Sequence, residues 1–338
     1  MSKHVIVIAE AGVNHNGDIK LAFQLIDAAK DANADYIKFQ TFIPALLVSK
    51  DAAKADYQIK NTNEGTQQEM LEKLALTYDQ FDTLNDYCKK KNIGFLSTGF
   101  DEGSVRFIDS LNVDYHKIPS GEITNLPYLR LIASLHKKVI LSTGMAEMRE
   151  VTDAVNILIN EGLSHDQITV LQCTTEYPAP YDEVNLLTIK SMQQELKTNT
   201  GYSDHTQGIE VPIAAVALGA SIIEKHFTLS RELPGPDHKA SLEPKELTEM
   251  VKAIRHIETA LGTGIKAPTP SEIKNINAAR RSIFTNKNLM KGDIIRHEDL
   301  IMKRPGNGIS PMRIDEIVGK TVSMDLREDT MLEWRQLL

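Results

Sequence analysis

Two short runs concentrate the residue types that hold divalent cations: Ser203-Asp204-His205-Thr206 and Glu224-Lys225-His226-Phe227. Each lies at the end of a β-type stretch and presents one histidine. The apolar segment between them, residues 211–219, has the length and composition of one helix, which would return the chain so that two strand ends lie side by side. Two imidazoles at adjacent strand tips suit a divalent metal acting as a Lewis acid, because two protein ligands leave the other positions to water and substrate oxygens. An isolated histidine pair is more often ordinary core or loop packing. The polar residues elsewhere in the chain shift the balance toward chemistry.

Lys38 and Lys117 each close a β-type run, and Thr98, Ser120, Ser142 and Ser203 stand at the ends of others or just beyond. Two ammonium groups ringed by hydroxyls describe a cradle for phosphate, since the lysines supply charge and the hydroxyls meet the remaining oxygen lone pairs. Glu10 and Glu122, after the first and fourth runs, are candidates for general acid, general base or hydroxyl ligand; the alternative is that they simply pair with Lys38 and Lys117. Gln40, Thr174, Tyr177 and Asp237 complete a bowl of strand-end polar groups. Nucleophilic Ser–His–Asp chemistry finds no support, because residues 203–205 are too local to form a triad and no nucleophile elbow is present. Cys173 sits within an apolar run and reads as core.

For these residues to share a bowl, something must bring their strand ends together. Short β-branched runs recur at residues 5–8, 35–41, 93–98, 113–118, 139–142, 168–174 and 221–226, with a weaker one at 202–205. Helical patterns stand between them: apolar residues at Ile19, Ala22, Leu25, Ile26 and Ala29, a helix near 79–90, and a stripe at Val151, Val155 and Leu158. Eight strands alternating with helices, each strand ending in polar side chains, predict an α/β fold of the (β/α)8 TIM-barrel type with function at the carboxyl ends of the strands. About 35 residues, 42–78, separate the second strand from the next helix, long enough for a lid or binding loop; its Lys54, Tyr57, Gln58, Lys60 and Asn61 suit polyol recognition. A last barrel helix opens at Pro244 and stops at Gly262. The predicted organisation is a barrel over residues 1–262, a Gly- and Pro-containing linker over 263–277, and a small module over 278–338, whose core is too slight to stand without the barrel or a partner subunit.

Composition bounds the class. The 338 residues carry 38 basic and 46 acidic side chains, a formal charge of −8, with 41% hydrophobic residues. That balance argues against general nucleic-acid or anionic-membrane binding. Two cysteines, Cys88 and Cys173, make neither a disulfide framework nor a zinc motif. With no signal-peptide pattern and no apolar run of membrane-spanning length, a cytoplasmic protein is expected.

Taken together, the motifs resemble a known family. Ile8-Ala9-Glu10-Ala11-Gly12-Val13-Asn14-His15-Asn16-Gly17, Lys38-Phe39-Gln40-Thr41, Lys117-Ile118-Pro119-Ser120-Gly121-Glu122, Ser142-Thr143-Gly144-Met145, Tyr177-Pro178-Ala179-Pro180, Ser203-Asp204-His205-Thr206, Glu224-Lys225-His226-Phe227-Thr228 and Gly235-Pro236-Asp237-His238 resemble the bacterial sialic acid synthases, in the family's order and over essentially the whole chain. The C-terminal Lys303-Arg304-Pro305-Gly306-Asn307-Gly308 looks like their antifreeze-like SAF domain, and Tyr57-Gln58-Ile59-Lys60-Asn61 looks like the version found in N-acetylneuraminate and legionaminate synthases.

The resemblance implies condensation of phosphoenolpyruvate with an N-acylated mannosamine-type sugar, giving a nine-carbon 2-keto acid and phosphate with C–O cleavage. The leading expectation is N-acetylmannosamine as acceptor and N-acetylneuraminate as product. The alternative is 2,4-diacetamido-2,4,6-trideoxymannose, leading to N,N'-diacetyllegionaminate. A pseudaminate synthase, a Schiff-base aldolase using Lys38 or Lys117, and a non-catalytic carbohydrate-binding protein stand behind these. By the same resemblance, His205 and His226 hold a divalent metal, Mn²⁺ ahead of Mg²⁺ or Co²⁺. Lys38, Lys117, Thr98, Ser120, Ser142 and Ser203 bind phosphoenolpyruvate, and Gln40, Tyr177 and Asp237 bind sugar hydroxyls. Glu10 and Glu122 move protons. Arg304 reaches the N-acyl group in the barrel of a second subunit, which implies a domain-swapped homodimer. One departure is visible: Ser97-Thr98-Gly99-Phe100 stands where the family usually has proline third, a substitution that loosens the turn beside Thr98.

Overall fold

The computed structural model describes residues 4–50, 52–62 and 65–338, and the side chains of Asp56, Tyr57 and Lys60 also fall outside the described set. The expected polyol contacts of Tyr57 and Lys60 therefore lie outside the described residues. The chain divides into two units, Met1–Thr263 and Gly264–Leu338.

The first unit opens with β1 (Ile6–Gly12), α1 (Ile19–Asp31) and β2 (Tyr36–Thr41). Three short helices follow, α2 (Pro44–Leu47), α3 (Asp56–Asn61) and α4 (Gln67–Leu74), and then α5 (Tyr78–Lys91). The alternation continues through β3 (Gly94–Gly99), α6 (Glu102–Ser110), β4 (Tyr115–Ile118), α7 (Leu126–Ser134), β5 (Lys138–Ser142) and α8 (Met148–Asn160). It closes with β6 (Ile168–Cys173), α9 (Thr188–Leu196), β7 (Asn199–Asp204), α10 (Glu210–Ala217), β8 (Ile222–His226) and α11 (Pro244–Ala260). The strands are parallel in the order β3-β2-β1-β8-β7-β6-β5-β4, and β3 and β4 approach one another, so the sheet curls into a nearly closed barrel. This is the (β/α)8 architecture expected from the alternating pattern.

Both faces of such strands are covered, which is why they read as continuous apolar runs rather than alternating ones. β7 is the exception, with the sequence Asn-Thr-Gly-Tyr-Ser-Asp. Its Gly201 meets the Ile222 carbonyl of β8 and the Leu171 side chain of β6 so closely that a Cβ there would collide with both. A β-branched residue at that point is sterically barred, and the strand signal is weak for that reason.

The 42–78 excursion is folded. Thr66 caps α4 by accepting from the Glu69 amide, while Glu69 reaches back to the Thr66 amide. Met70, Leu71 and Leu74 on α4 pack with Val13 and Phe42 into a small core of their own. The 263–277 stretch, read as linker, carries a helix, α12 (Pro270–Ala279), with Thr269 as its cap, Pro270 at its start and no buried residue. Proline at the first helical turn is a start signal as well as a breaker, and here the first sense holds.

In the second unit β9 (Ser282–Thr285) and β10 (Leu300–Lys303) pair antiparallel. Isolated bridges such as Leu289 to Leu326 and Val322 to Leu337 close the rest of the fold around Ile283, Ile295, Ile317 and Leu332.

Candidate active site

A cavity of about 230 Å³ lies at the carboxyl ends of the barrel strands. Parallel register places its functional groups side by side. Glu10 on β1 stands opposite Lys38 on β2 and His226 on β8, Gln40 stands opposite Thr98, and Ser203 stands opposite Glu224. Residues two apart on a strand share a face, so Glu224 and His226 both line the cavity while Lys225 points the other way.

Four buried ionisable groups make its polar end. Lys38 Nζ lies 2.8 Å from Glu10 Oε2, 3.6 Å from Glu224 Oε1 and 3.1 Å from Thr98 Oγ1. Lys117 Nζ donates to Ser142 Oγ at 2.7 Å and lies 3.7 Å from Glu224 Oε1. Burial pushes the Glu10 carboxyl up to about 7, against the pull of Lys38. Burial also opposes the charge on Glu224, but Lys117 and Lys38 overcome it and hold that carboxyl below its ordinary value. For Lys117 burial prevails and the ammonium is weakened, with Glu224 only partly offsetting it. Lys38 moves the other way, because Glu10 and Glu224 together outweigh its desolvation. The cluster thus holds one firm carboxylate and one carboxyl near its titration point, beside one firm ammonium and one weakened by burial. An entering dianion would compete with Glu10 and Glu224 for both ammonium groups.

The imidazoles adjoin this end. The His205 and His226 ring centroids are 5.4 Å apart, with the Tyr177 ring 4.1 Å from the first and edge-on to the second. His205 Nδ1 lies 2.6 Å from the Thr174 carbonyl, so Nδ1 carries the proton and donates it, leaving Nε2 as the nitrogen that can ligate. Burial opposes charge on His205, but Cys173 and that carbonyl favour it and the net direction is upward. Burial and the neighbouring cations hold His226 well below the ordinary imidazole value, in its neutral form. Its Nδ1 is buried without a hydrogen-bond partner, an unmet need that a ligand can satisfy. Asp237 lines the same cavity, and burial pushes its carboxyl up to about 6. Two neighbouring imidazoles, one oriented by a carbonyl and one neutral, with Glu10 and Asp237 in the same cavity, fit a divalent cation. Among the described residues no group of three His, Cys, Asp or Glu is arranged to hold one, so most of its coordination would come from water and substrate.

The strand tips that carry these rings are pinned from behind. Lys225 Nζ lies 2.5 Å from Asp204 Oδ2, both side chains fully buried, and also donates to the Thr206 carbonyl. Asp204 takes further bonds from Tyr202 Oη at 2.9 Å, the Thr206 amide at 2.9 Å and Thr206 Oγ1 at 3.1 Å. The partners precede His205 and His226 directly, so this buried pair bridges the paired strands β7 and β8 where the imidazoles emerge.

Of the expected site residues, Glu10, Lys38, Gln40, Thr98, Ser120 and Ser142 line the cavity, as do Tyr177, Ser203, His205, His226 and Asp237. Lys117 lies just behind Ser142. Thr174 contributes its carbonyl to His205, and its hydroxyl donates instead to the Glu183 carbonyl at 3.3 Å. Glu122 is not part of the lining: the turn Ser120–Glu122 carries it aside, where Oε2 accepts from Asn125 at 2.6 Å. The alternative reading, a Glu122–Lys117 pair, is therefore not met, and Glu224 is the carboxylate beside Lys117. Its signal was available, since it stands two residues before His226 on the same strand face. Cys173, expected as core, is buried and also reaches the cavity wall. Gly99 has a packing role, since a Cβ there would lie 2.8 Å from the Val105 amide of α6. Arg304 belongs to the second unit and is exposed, with Nε donating to the Ala279 carbonyl at 3.0 Å.

Fold and cavity together define a (β/α)8-barrel enzyme whose strand-end site is built for an anionic substrate. A model of the NeuB family matches residues 25–266, and an SAF domain model matches residues 280–338. The chain is 51% identical to the N,N'-diacetyllegionaminic acid synthase of Campylobacter jejuni, covering 98% of this chain and 99% of that protein. It is 48% identical to the synthase of the same name from Legionella pneumophila, over 98% and 94%. Among solved structures, the N-acetylneuraminic acid synthetase of Leptospira borgpetersenii superposes with a TM-score of 0.71 at 35% identity, covering 81% of this chain and 91% of that one. The chain belongs to the NeuB family and is a nonulosonic acid synthase with a C-terminal SAF domain. Among the described residues, no helix is long and apolar enough to cross a membrane.

Proposed function

We propose that the enzyme condenses phosphoenolpyruvate with 2,4-diacetamido-2,4,6-trideoxymannose and water, giving N,N'-diacetyllegionaminate and phosphate. The observation that carries the acceptor is the similarity to two legionaminic acid synthases, 51% and 48% identical over 98% of the chain, against 35% for the sialic acid synthetase of known structure. The leading expectation from sequence, N-acetylmannosamine, gives way to the alternative on that ground.

In this reading Lys38 and Lys117 hold the phosphate and carboxylate of phosphoenolpyruvate, with hydroxyls of Thr98, Ser142 and Ser203 meeting the remaining oxygens. The enol carbon attacks the open-chain aldehyde carbon and forms the new C–C bond; the C=O π pair moves onto the aldehyde oxygen, which takes up a proton and becomes a hydroxyl. Water then adds to carbon two, and its C–O bond to phosphate breaks. Glu10, poised near neutrality, takes the water proton, and Lys38 at 2.8 Å stabilises the carboxylate before it does so. Gln40, Tyr177 and Asp237 orient the sugar hydroxyls. A divalent cation held by His205 and His226, Mn²⁺ by preference, would polarise the aldehyde oxygen. The same resemblance supports a homodimer in which Arg304 serves the acyl group of the substrate in the other subunit, and free thiols at Cys88 and Cys173 suit a reducing cytoplasm.

The test is phosphate release from phosphoenolpyruvate with each sugar in turn. The trideoxy diacetamido sugar is expected to be preferred in kcat/KM by about 100-fold, the scale at which an apolar pocket rejects an added hydroxyl. A rate with N-acetylmannosamine equal or higher overturns the acceptor assignment, and no phosphate release with either sugar overturns the reaction.

A further inference from the structure

The cavity has two unlike faces. One carries Lys38, Glu10, Glu224 and the hydroxyls; the other is largely apolar, formed by Met70, Leu71 and Leu74 of α4 together with Val13 and Phe100, with Gln58 of α3 the polar residue contributed by the same excursion. No other residue of α4 lines this cavity. The wall is held in place from several sides. Gly17, at a left-handed φ of +73°, brings the β1–α1 loop so close under α4 that a Cβ would sit 2.5 Å from the Lys73 carbonyl. Asn61 at the end of α3 donates to the Pro236 carbonyl at 2.8 Å, tying the excursion to the loop that carries Asp237. Thr62 Oγ1 approaches Met70 Sδ at 3.8 Å.

We infer that the apolar face of α4, centred on Met70 and Leu71, selects the deoxygenated, doubly acylated end of the acceptor. This rests on the acceptor proposed above. The two candidate sugars share the aldehyde and the 2-acetamido group. They differ at carbon four, acetamido against hydroxyl, and at carbon six, methyl against hydroxymethyl. In the proposed pose the aldehyde carbon lies at the polar end, beside the enol it must meet, and the far carbons would lie against the α4 wall. The carbon-six methyl and the acetyl methyl bury well against Met and Leu, while the acetamido N–H and C=O must turn to the polar side chains of the lining, Gln58 among them. A hydroxyl there loses its water and finds no donor or acceptor on α4.

The experiment measures kcat/KM for both sugars with the wild-type enzyme and with Met70→Gln, Leu71→Asn and Met70→Leu. Hydrophobic pockets reject an added hydroxyl by about 10²-fold, so each polar variant is expected to lower the ratio of trideoxy diacetamido sugar to N-acetylmannosamine by at least about 10-fold. The change should fall in the acceptor KM, with the KM for phosphoenolpyruvate unmoved. Met70→Leu keeps the wall apolar and should leave the ratio within about threefold; it also tests the wall if the polar variants do not fold, since a tenfold shift from this swap would contradict the inference. A wild-type preference for the trideoxy sugar with ratios unchanged in both polar variants overturns the wall and leaves the acceptor assignment standing. A wild-type preference for N-acetylmannosamine overturns the assignment and this inference with it.

Discussion

The buried Lys225–Asp204 pair offers the sharpest test of how the imidazoles are positioned. Substituting Lys225→Met keeps the volume and removes the cation. Asp204 is left fully buried with three donors, the Tyr202 hydroxyl and the Thr206 amide and hydroxyl, but without its counter-ion. Breaking a buried pair by removing one partner destabilises by about 3–5 kcal/mol, because the remaining charge stays desolvated. For a unit of this size each kcal/mol lowers Tm by roughly 2–4 °C, so the fall should be about 6–20 °C. The double variant Lys225→Met with Asp204→Asn removes both charges and should recover most of that loss. Differential scanning calorimetry on the three proteins decides the matter. A fall below about 2 °C in the single variant, less than 1 kcal/mol, would show that the pair does not hold β7 to β8. A double variant as unstable as the single one would show that the stranded charge is not the cause. If the single variant is assayed below its Tm, its KM for the acceptor should rise more than that for phosphoenolpyruvate, since the imidazoles adjoin the acceptor carbonyl.

Two further outcomes follow from the same cavity. The Glu10 carboxyl sits at about 7 in the folded protein against an ordinary value of 4.5, so between those values the folded state binds the extra proton and stability falls as pH rises, by an amount on the order of 3 kcal/mol. Comparing metal-free wild type with Glu10→Gln by chemical denaturation from pH 4 to 8 should show a steeper fall in wild type, the raised Asp237 carboxyl contributing to both, and parallel curves would refute it. Activity should vanish in excess EDTA and return with Mn²⁺, and calorimetric Mn²⁺ affinity should drop at least about 100-fold in His226→Asn, since losing even an outer-shell partner costs 10–100-fold; full activity in chelator would remove the metal from the reaction.

Much of this architecture is written in short-range patterns, and its gaps have physical causes. Seven of the eight strands announce themselves because burial on both faces demands branched apolar residues. β7 does not, because its neighbours crowd Gly201 and the strand earns its place through the barrel rather than through propensity. The excursion at 42–78 read as a loop, though the Thr66–Glu69 capping box and the Met70-Leu71-Leu74 spacing already spelled α4; eight residues of helix need tertiary burial to persist, and that burial is supplied by Val13 and Phe42 from distant parts of the chain.

The carboxylates show the limit more clearly. Glu122 and Glu224 both stand in runs with a lysine or histidine, and strand-end position alone favours either. What separates them is whether the residue still lies within a strand, where the period-two pattern fixes its direction, or in the turn beyond it. Glu122 closes a three-residue turn that follows Pro119 and rotates it toward Asn125, whereas Glu224 lies inside β8, where alternation compels it to share a face with His226. Lys117 then takes its counter-charge from four strands away around the barrel rather than from its own loop. A site built across strand tips is therefore read most safely from residues still within strands, whose direction the pleat dictates. Residues in the loops beyond them, Glu122 among them, take their direction from turns.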